Sequence, residues 1–255
     1  MTARPFHLVK IAPDVRVGRF PALSDIPGLT HAVTTRHGID SHRIRKDRAA
    51  AGEEIAGRLA LNGVAYAEQV HGCEVKRVDA PGFAGECDAL MTDTGGLGVM
   101  VVSADCPLVL LAERQGRCVG VAHASWRGTV AGVTGELCSA MAREFGVGAQ
   151  DLVAAIAPSA GPCCYQVGPE VRQAALAGLG ARAERFFLPD AEADRWRFDL
   201  WAANIAQLRA FGLPVGKVHP AEVCTICSGE DFCSHRVQGE SAGRFAAVIA
   251  PRAGG

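Results

Sequence analysis

Three short apolar runs constrain this chain most. Each has the length of a buried strand and each stops abruptly at a polar or chemically active residue. Val99 to Val102 runs directly into Ser103-Ala104-Asp105-Cys106-Pro107. Cys118 to Ala122 runs into His123, and Asp151 to Ala157 is stopped by Pro158. Between the second and third runs, Val130, Val133, Leu137, Met141 and Phe145 recur at helical spacing, which predicts one amphipathic helix over 129–145 stopped by Gly146. Further helices are predicted over 170–179 and 200–211, ended by Gly180 and Gly212, and strands over 215–219 and 245–250. Residues 34–61 form a long polar or helical stretch rich in Arg, Lys and Ala. Strands alternating with helices imply an α/β layered sandwich, and the absence of a repeat or linker implies a single domain over 1–255.

Composition excludes several function classes. With 26 basic and 27 acidic side chains the net charge is −1, so no electrostatic footprint for nucleic acid or an anionic membrane is expected. No apolar stretch reaches the roughly 18 residues of a membrane span. The N-terminus MTARPFHLVK lacks a long apolar segment, so no secretory signal is expected. Ten cysteines in such a chain read as free thiols in a reducing cytoplasm. Cys118 and Cys138 sit inside apolar patterns and read as small core residues.

His71 lies between Gln69-Val70 and Gly72, while Cys106 and His123 each lie where an apolar strand gives out. Residues just past strand ends are exposed at a sheet edge, where α/β folds place their chemistry. Two imidazoles and one thiolate leave a fourth tetrahedral position open, as in a catalytic rather than a structural zinc site. The same residues also allow a metal-free reading, with Cys106 as nucleophile and His123 as base. Asp105 is placed to orient that base, to bind metal, or to cap the turn before Pro107.

Several ordered segments together resemble the laccase-domain family, also called multicopper polyphenol oxidase-like proteins. They are Gln69-Val70-His71-Gly72, Ala104-Asp105-Cys106-Pro107 and His123-Ala124-Ser125-Trp126-Arg127-Gly128-Thr129. Thr34-Thr35-Arg36, Asp88-Ala89-Leu90-Met91-Thr92, Gly161-Pro162-Cys163-Cys164-Tyr165, Cys224-Thr225 and Gly243-Arg244 extend the resemblance over nearly the whole chain. It implies a mixed β-sheet flanked by helices, a monomer or weak homodimer, and a metal held by His71, Cys106 and His123. It also implies small-molecule partners: purine nucleosides (adenosine, inosine, guanosine, methylthioadenosine) together with phosphate. The implied activities are purine nucleoside phosphorolysis, adenosine deamination, and, for members called peptidoglycan editing factors, removal of serine from UDP-MurNAc-L-Ser. Ser125 stands where the family pattern has Gly, and Phe232-Cys233-Ser234-His235-Arg236-Val237 departs from the family's FFSYRR.

Phosphorolysis requires an anion site. Arg127 and Gly128 precede the expected helix at Thr129, whose free N–H groups would favour phosphate. Arg36 adds a guanidinium, with Arg236 and Arg244 as further candidates. Deamination or amide hydrolysis requires an acid/base group, for which Asp105 and then His37 are available. The older laccase name implies copper, yet the chain has eight histidines in all, few for a multicopper oxidase, so Zn2+ is the expected cofactor. Finally, Cys224-Thr225-Ile226-Cys227, followed by Cys233 and His235, is the most metal-like local spacing. It reads as a small zinc knuckle or a thiol redox pair, although the resemblance accounts only for Cys224.

Overall fold

The computed structural model describes residues 5–253; the outermost residues of the expected 1–255 domain, including the start of its N-terminal segment, lie outside that range. Two sheets pack face to face. The first has the order β1 (His7–Ala12), β2 (Val15–Arg19), β3 (Thr30–Thr34), β16 (Phe245–Ala250), β8 (Leu97–Ser103), β4 (Gly63–Glu68), β6 (Gly82–Glu86). The second has the order β15 (Val218–Pro220), β11 (Leu152–Ile156), β9 (Leu108–Glu113), β10 (Val119–His123), β7 (Ala89–Thr92), β5 (Val75–Arg77). A small third sheet joins β12 (Gln166–Val167), β14 (Trp196–Phe198) and β13 (Phe187–Pro189). Helices α2 (Ser41–Lys46) and α3 (Arg48–Leu59) cover the first sheet, and α5 (Val133–Phe145) and α7 (Leu200–Phe211) cover the second. The short α1 (Pro21–Ser24) touches both β3 and β11. The expected α/β sandwich is present, with the mixed pairing distributed over two facing sheets.

The apolar runs are explained by this layering. Val99 and Val101 of β8 meet Leu108, Leu110, Val119 and Val121 between the sheets. Their neighbours Met100 and Val102 point the other way, onto Ile44 and Ile55 of α2 and α3. In β9, Val109 and Leu111 turn outward onto Leu137, Met141 and Leu208 of α5 and α7. A strand covered on both faces has no solvent side to fill with polar residues, so period-two alternation disappears from its sequence.

Two expectations need correction. The single helix over 129–145 is two: α4 (Trp126–Ala131) starts earlier, capped by Ser125, and Gly132 at φ +89° separates it from α5. Apolar spacing continues across the break, which hid it. The strand expected over 215–219 begins as a 3-10 turn, Val215–Lys217, and only Val218–Pro220 pairs. The polar stretch before residue 61 resolves into α2 and α3, whose N-termini are capped by the Asp40 and Asp47 carboxylates.

One topological feature positions the chemistry. Strand β4 is parallel to both β8 and β6, so the C-terminal ends of all three lie at one edge of the first sheet. From that edge the chain crosses to the second sheet three times, β4 to β5, β6 to β7 and β8 to β9. His71, Asp88 and Cys106 are each carried by one of these crossings. No helix among the described residues is long and apolar enough to cross a membrane.

Candidate metal centre

The crossings bring His71 and Cys106 to His123, the last residue of β10. One ligand atom from each lies within 4.8 Å of the others. The two imidazole rings meet edge-on, with centroids 5.1 Å apart. His123 is buried, Cys106 half-buried and His71 exposed, so the triplet opens towards solvent on the His71 side. A metal at 2.0–2.3 Å from N and S donors needs donor separations of about 3.3–3.8 Å. The mixed His₂Cys donor set and its close convergence therefore fit a divalent cation with one open position.

The triplet is held by a carboxylate that sequence reading passed over. Asp88 is fully buried. It accepts hydrogen bonds from the backbone N–H groups of Val70 (3.1 Å), His71 (3.1 Å) and Gly72 (2.7 Å). Its Oδ1 also lies 2.8 Å from His123 Nδ1. This is the arrangement by which an outer carboxylate fixes an imidazole's orientation and leaves Nε2 for a ligand role. It also stabilises the tight turn at His71, which adopts a left-handed φ of +63° at a cost of about 1–3 kcal/mol. Gly128 packs beneath that turn: a Cβ there would come within 2.8 Å of the Gly72 carbonyl oxygen. In the sequence Asp88 stands out only as the first residue of the Asp88-Ala89-Leu90-Met91-Thr92 segment and as a lone acid entering the apolar strand 89–92, with no role attached to it.

Titration behaviour separates the two imidazoles. Burial pulls His123 down, but the Cys106 sulfur and the Asp88 carboxylate outweigh it and raise the imidazole to about 9. His71 is lowered by burial, by His123 and by the nearby Arg127 and Arg244 guanidinium groups. Burial would push the Asp88 carboxyl up, but His123 and the Gly72 and Val70 N–H groups hold it below its ordinary value.

A cavity of about 380 Å³ opens at the triplet, lined also by Arg48, Glu68, Gln69, Ser103, His235 and Arg244. Arg48 pairs with Glu68 at 2.7 Å. The Gln69 amide bonds both the N–H and the carbonyl of Val102 at 2.8 Å, tying the β4 crossing to β8. A larger groove of about 790 Å³, bordered by Leu179, Phe186 and Ala206, has no nucleophilic or metal-ligating side chain in its lining. Chemistry, not size, therefore selects the smaller cavity.

The other expected site residues fall in different places. Arg244 lines the cavity and bonds the carbonyls of Ala242 and Gly243. Arg127 lies over the Trp126 ring, close enough to His71 to depress it. Arg236 lies over Tyr165 and donates to the Gln166 carbonyl. Arg36 is not brought to the cavity: it bonds the Gly229 carbonyl, and its backbone N–H bonds Asp231. His37 likewise pairs with Asp231. Asp105, at φ +92°, engages both carboxylate oxygens with Thr225 Oγ1 (2.7 Å), Ser234 Oγ (3.1 Å) and the Arg236 N–H (2.7 Å). At the start of α4 the Ser125 hydroxyl accepts the Gly128 N–H, so the expected row of free donors before Thr129 is already partly used. Cys224 and Cys227 do not group with Cys233 and His235. Cys233 is buried beside Ala104 and Ala242, and His235 lines the cavity.

Comparison with known proteins gives the family and the fold. The family model described as multi-copper polyphenol oxidoreductase laccase matches residues 23–252. A Bacteroides thetaiotaomicron protein named purine nucleoside phosphorylase is 28% identical, covering 95% of this chain and 98% of its own. A Deinococcus radiodurans protein of the same name is 33% identical over 93% of this chain and 94% of its own. The crystal structure of YlmD from Geobacillus stearothermophilus superposes with a TM-score of 0.82 at 26% identity, covering 96% of this chain and 98% of that one.

Proposed function

The chain belongs to the multi-copper polyphenol oxidoreductase laccase family, and on that footing we propose that it is a zinc-dependent purine nucleoside phosphorylase acting as one domain. The observation that supports this most is the convergence of His71, Cys106 and His123 on a cavity that also presents Arg244 and Arg48. Relatives named purine nucleoside phosphorylase support the substrate class. Adenosine, inosine, guanosine and methylthioadenosine are the nucleosides of this reading. The compartment is the cytoplasm, where ten free cysteines stay reduced.

When bound, zinc supplies a Lewis acid with one open position. The protein's own groups do the rest. Asp88 orients His123 and shapes the His71 turn. Arg244 and Arg48 provide cationic donors for a phosphate oxyanion beside the triplet. This shifts the anion site from Arg36 and the start of α4 towards the cavity wall, with Arg127, near enough to His71 to lower it, at its margin. Asp105 acts as a positioning residue: its bonds to Thr225, Ser234 and Arg236 fix the loop that presents Cys106. Among the described residues only two groups of His, Cys or carboxylate donors converge, and one is entirely thiol. That donor count favours a single catalytic metal over a multicopper oxidase.

The test is incubation of the metal-loaded protein with adenosine or inosine, with and without phosphate. Free base and ribose 1-phosphate, formed only with phosphate, are expected. Inosine from adenosine without phosphate would instead assign deamination. Serine released from UDP-MurNAc-L-Ser, with nucleosides untouched, would assign the amidase reaction.

A further inference from the structure

We propose that Cys163, Cys164, Cys224 and Cys227 form a second, closed metal site that holds one divalent zinc by four thiolates. The four sulfurs all lie within 4.8 Å of one another. Cys227 Sγ is 3.8 Å from Cys163 Sγ and 3.4 Å from Cys164 Sγ. With Zn–S bonds of about 2.3 Å, the edge of a tetrahedral tetrathiolate is about 3.8 Å. A disulfide needs sulfurs about 2.05 Å apart, so these thiols stand at ligand spacing rather than bond spacing. An all-sulfur tetrahedron selects a soft cation and leaves no position for substrate.

The fold builds this cluster from two turns. Strands β11 and β15 run parallel, so the loops that follow them start side by side. Ser159 N–H donates to the Val223 carbonyl (3.1 Å) and Thr225 N–H to the Ser159 carbonyl (3.0 Å), continuing the pairing beyond the strands. One turn, closed by Cys164 N–H to the Gly161 carbonyl at 2.9 Å, carries Cys163 and Cys164. The other, closed by Ser228 N–H to the Cys224 carbonyl at 2.9 Å, carries Cys224 and Cys227. The Gly161 N–H points at Cys224 Sγ at 3.3 Å, a donor that stabilises a thiolate. A Cβ on Gly161 would come within 3.2 Å of the Cys224 Cβ and 2.7 Å of the Trp201 ring, so only glycine allows the loops to approach this closely. None of the four cysteines lines the His71 cavity. The proposal therefore stands whether or not the chain is a phosphorylase.

The experiment is metal analysis of full-length protein prepared under reducing conditions with zinc supplied. The wild type is expected to hold two equivalents. Cys227→Ser, and separately the double variant His71→Ala/His123→Ala, should each hold one. Cobalt substitution of the His71→Ala/His123→Ala protein should give the intense charge-transfer absorption of a tetrahedral tetrathiolate. This needs no cysteine variant to fold. In the wild type, zinc should also protect Cys163, Cys164 and Cys227 from alkylation. One equivalent in the wild type, unchanged by Cys227→Ser, would overturn the proposal. So would a Cys164–Cys227 disulfide in freshly prepared protein that binds no metal there.

Discussion

The two ligand clusters are assembled by opposite means. At His71, Cys106 and His123 the donors are mixed, and a sheet crossing, a second sheet crossing and a strand end supply them. The site borders a polar cavity and depends on a left-handed non-glycine turn and a fully buried carboxylate. At Cys163, Cys164, Cys224 and Cys227 the donors are uniform, two adjacent turns supply them, and none of the four has a left-handed φ. A centre that keeps a position open must be held from behind, by groups that are not ligands. A closed centre is held by its ligands and their own turns. The first design suits catalysis and the second suits cross-linking.

The largest effect should come from removing a ligand of the open centre. Cys106→Ala or His123→Ala should lower kcat/KM for nucleoside phosphorolysis on the order of 10³-fold, the equivalent of several kcal/mol of transition-state stabilisation. Steady-state assays paired with metal analysis would show it, and full activity in either variant would break the assignment. Next comes the support from behind. Asp88→Asn should weaken metal binding at the open centre by about 10–100-fold in competition with a chelator, leaving the thiol cluster's cation in place. Unaltered affinity would mean that Asp88 only shapes the turn.

The cavity wall distinguishes the centres further. Arg244→Ala should raise KM for phosphate about tenfold or more, through loss of a charge-assisted hydrogen bond, with a smaller change in kcat. A kcat loss without a KM change would move the anion site elsewhere. On the other side of the comparison, Cys227→Ser should lower the melting temperature on the order of 5 °C, because a bound cation favours only the folded chain. Calorimetry in the presence of zinc would read it, and an unchanged midpoint would deny the cluster a structural role.

The last prediction involves neither centre and serves as a control. His31, buried in β3, accepts the Phe20 N–H at Nε2, and burial with Arg19 and His7 lowers its pKa to about 3. The unfolded imidazole titrates near 6.5, so between those values the unfolded chain binds more protons. Its contribution is complete above about pH 6.5 and is lost as pH falls towards 3, with a slope approaching 1.4 kcal/mol per pH unit. Denaturant unfolding of His31→Gln should show a shallower acid limb than wild type. An identical limb would exclude His31 as its source.

Much of this molecule was legible locally. Buried strands at 99–102, 118–122 and 151–157 announce themselves because both faces are covered, and helices over 170–179 and 200–211 because glycines stop them. Cys106 and His123 stood out as reactive side chains where apolar strands give out, and His71 joined them through the Gln69-Val70-His71-Gly72 segment of the family resemblance. What no local pattern contains is which strand ends share an edge. Only the parallel pairing of β4 with β6 and β8 brings His71, Asp88 and Cys106 to one place. The same limit misassigned the C-terminal cysteines. Spacing along the chain suggested Cys233 and His235 as partners for Cys224 and Cys227, whereas the parallel pairing of β11 with β15 delivers Cys163 and Cys164 from some sixty residues away. Residue identity and periodicity are properties of neighbours in sequence, so they set the strands, the helices and the available donors. Ligand sets are properties of neighbours in space, and here sheet topology, set by burying two sheets against each other, decided them.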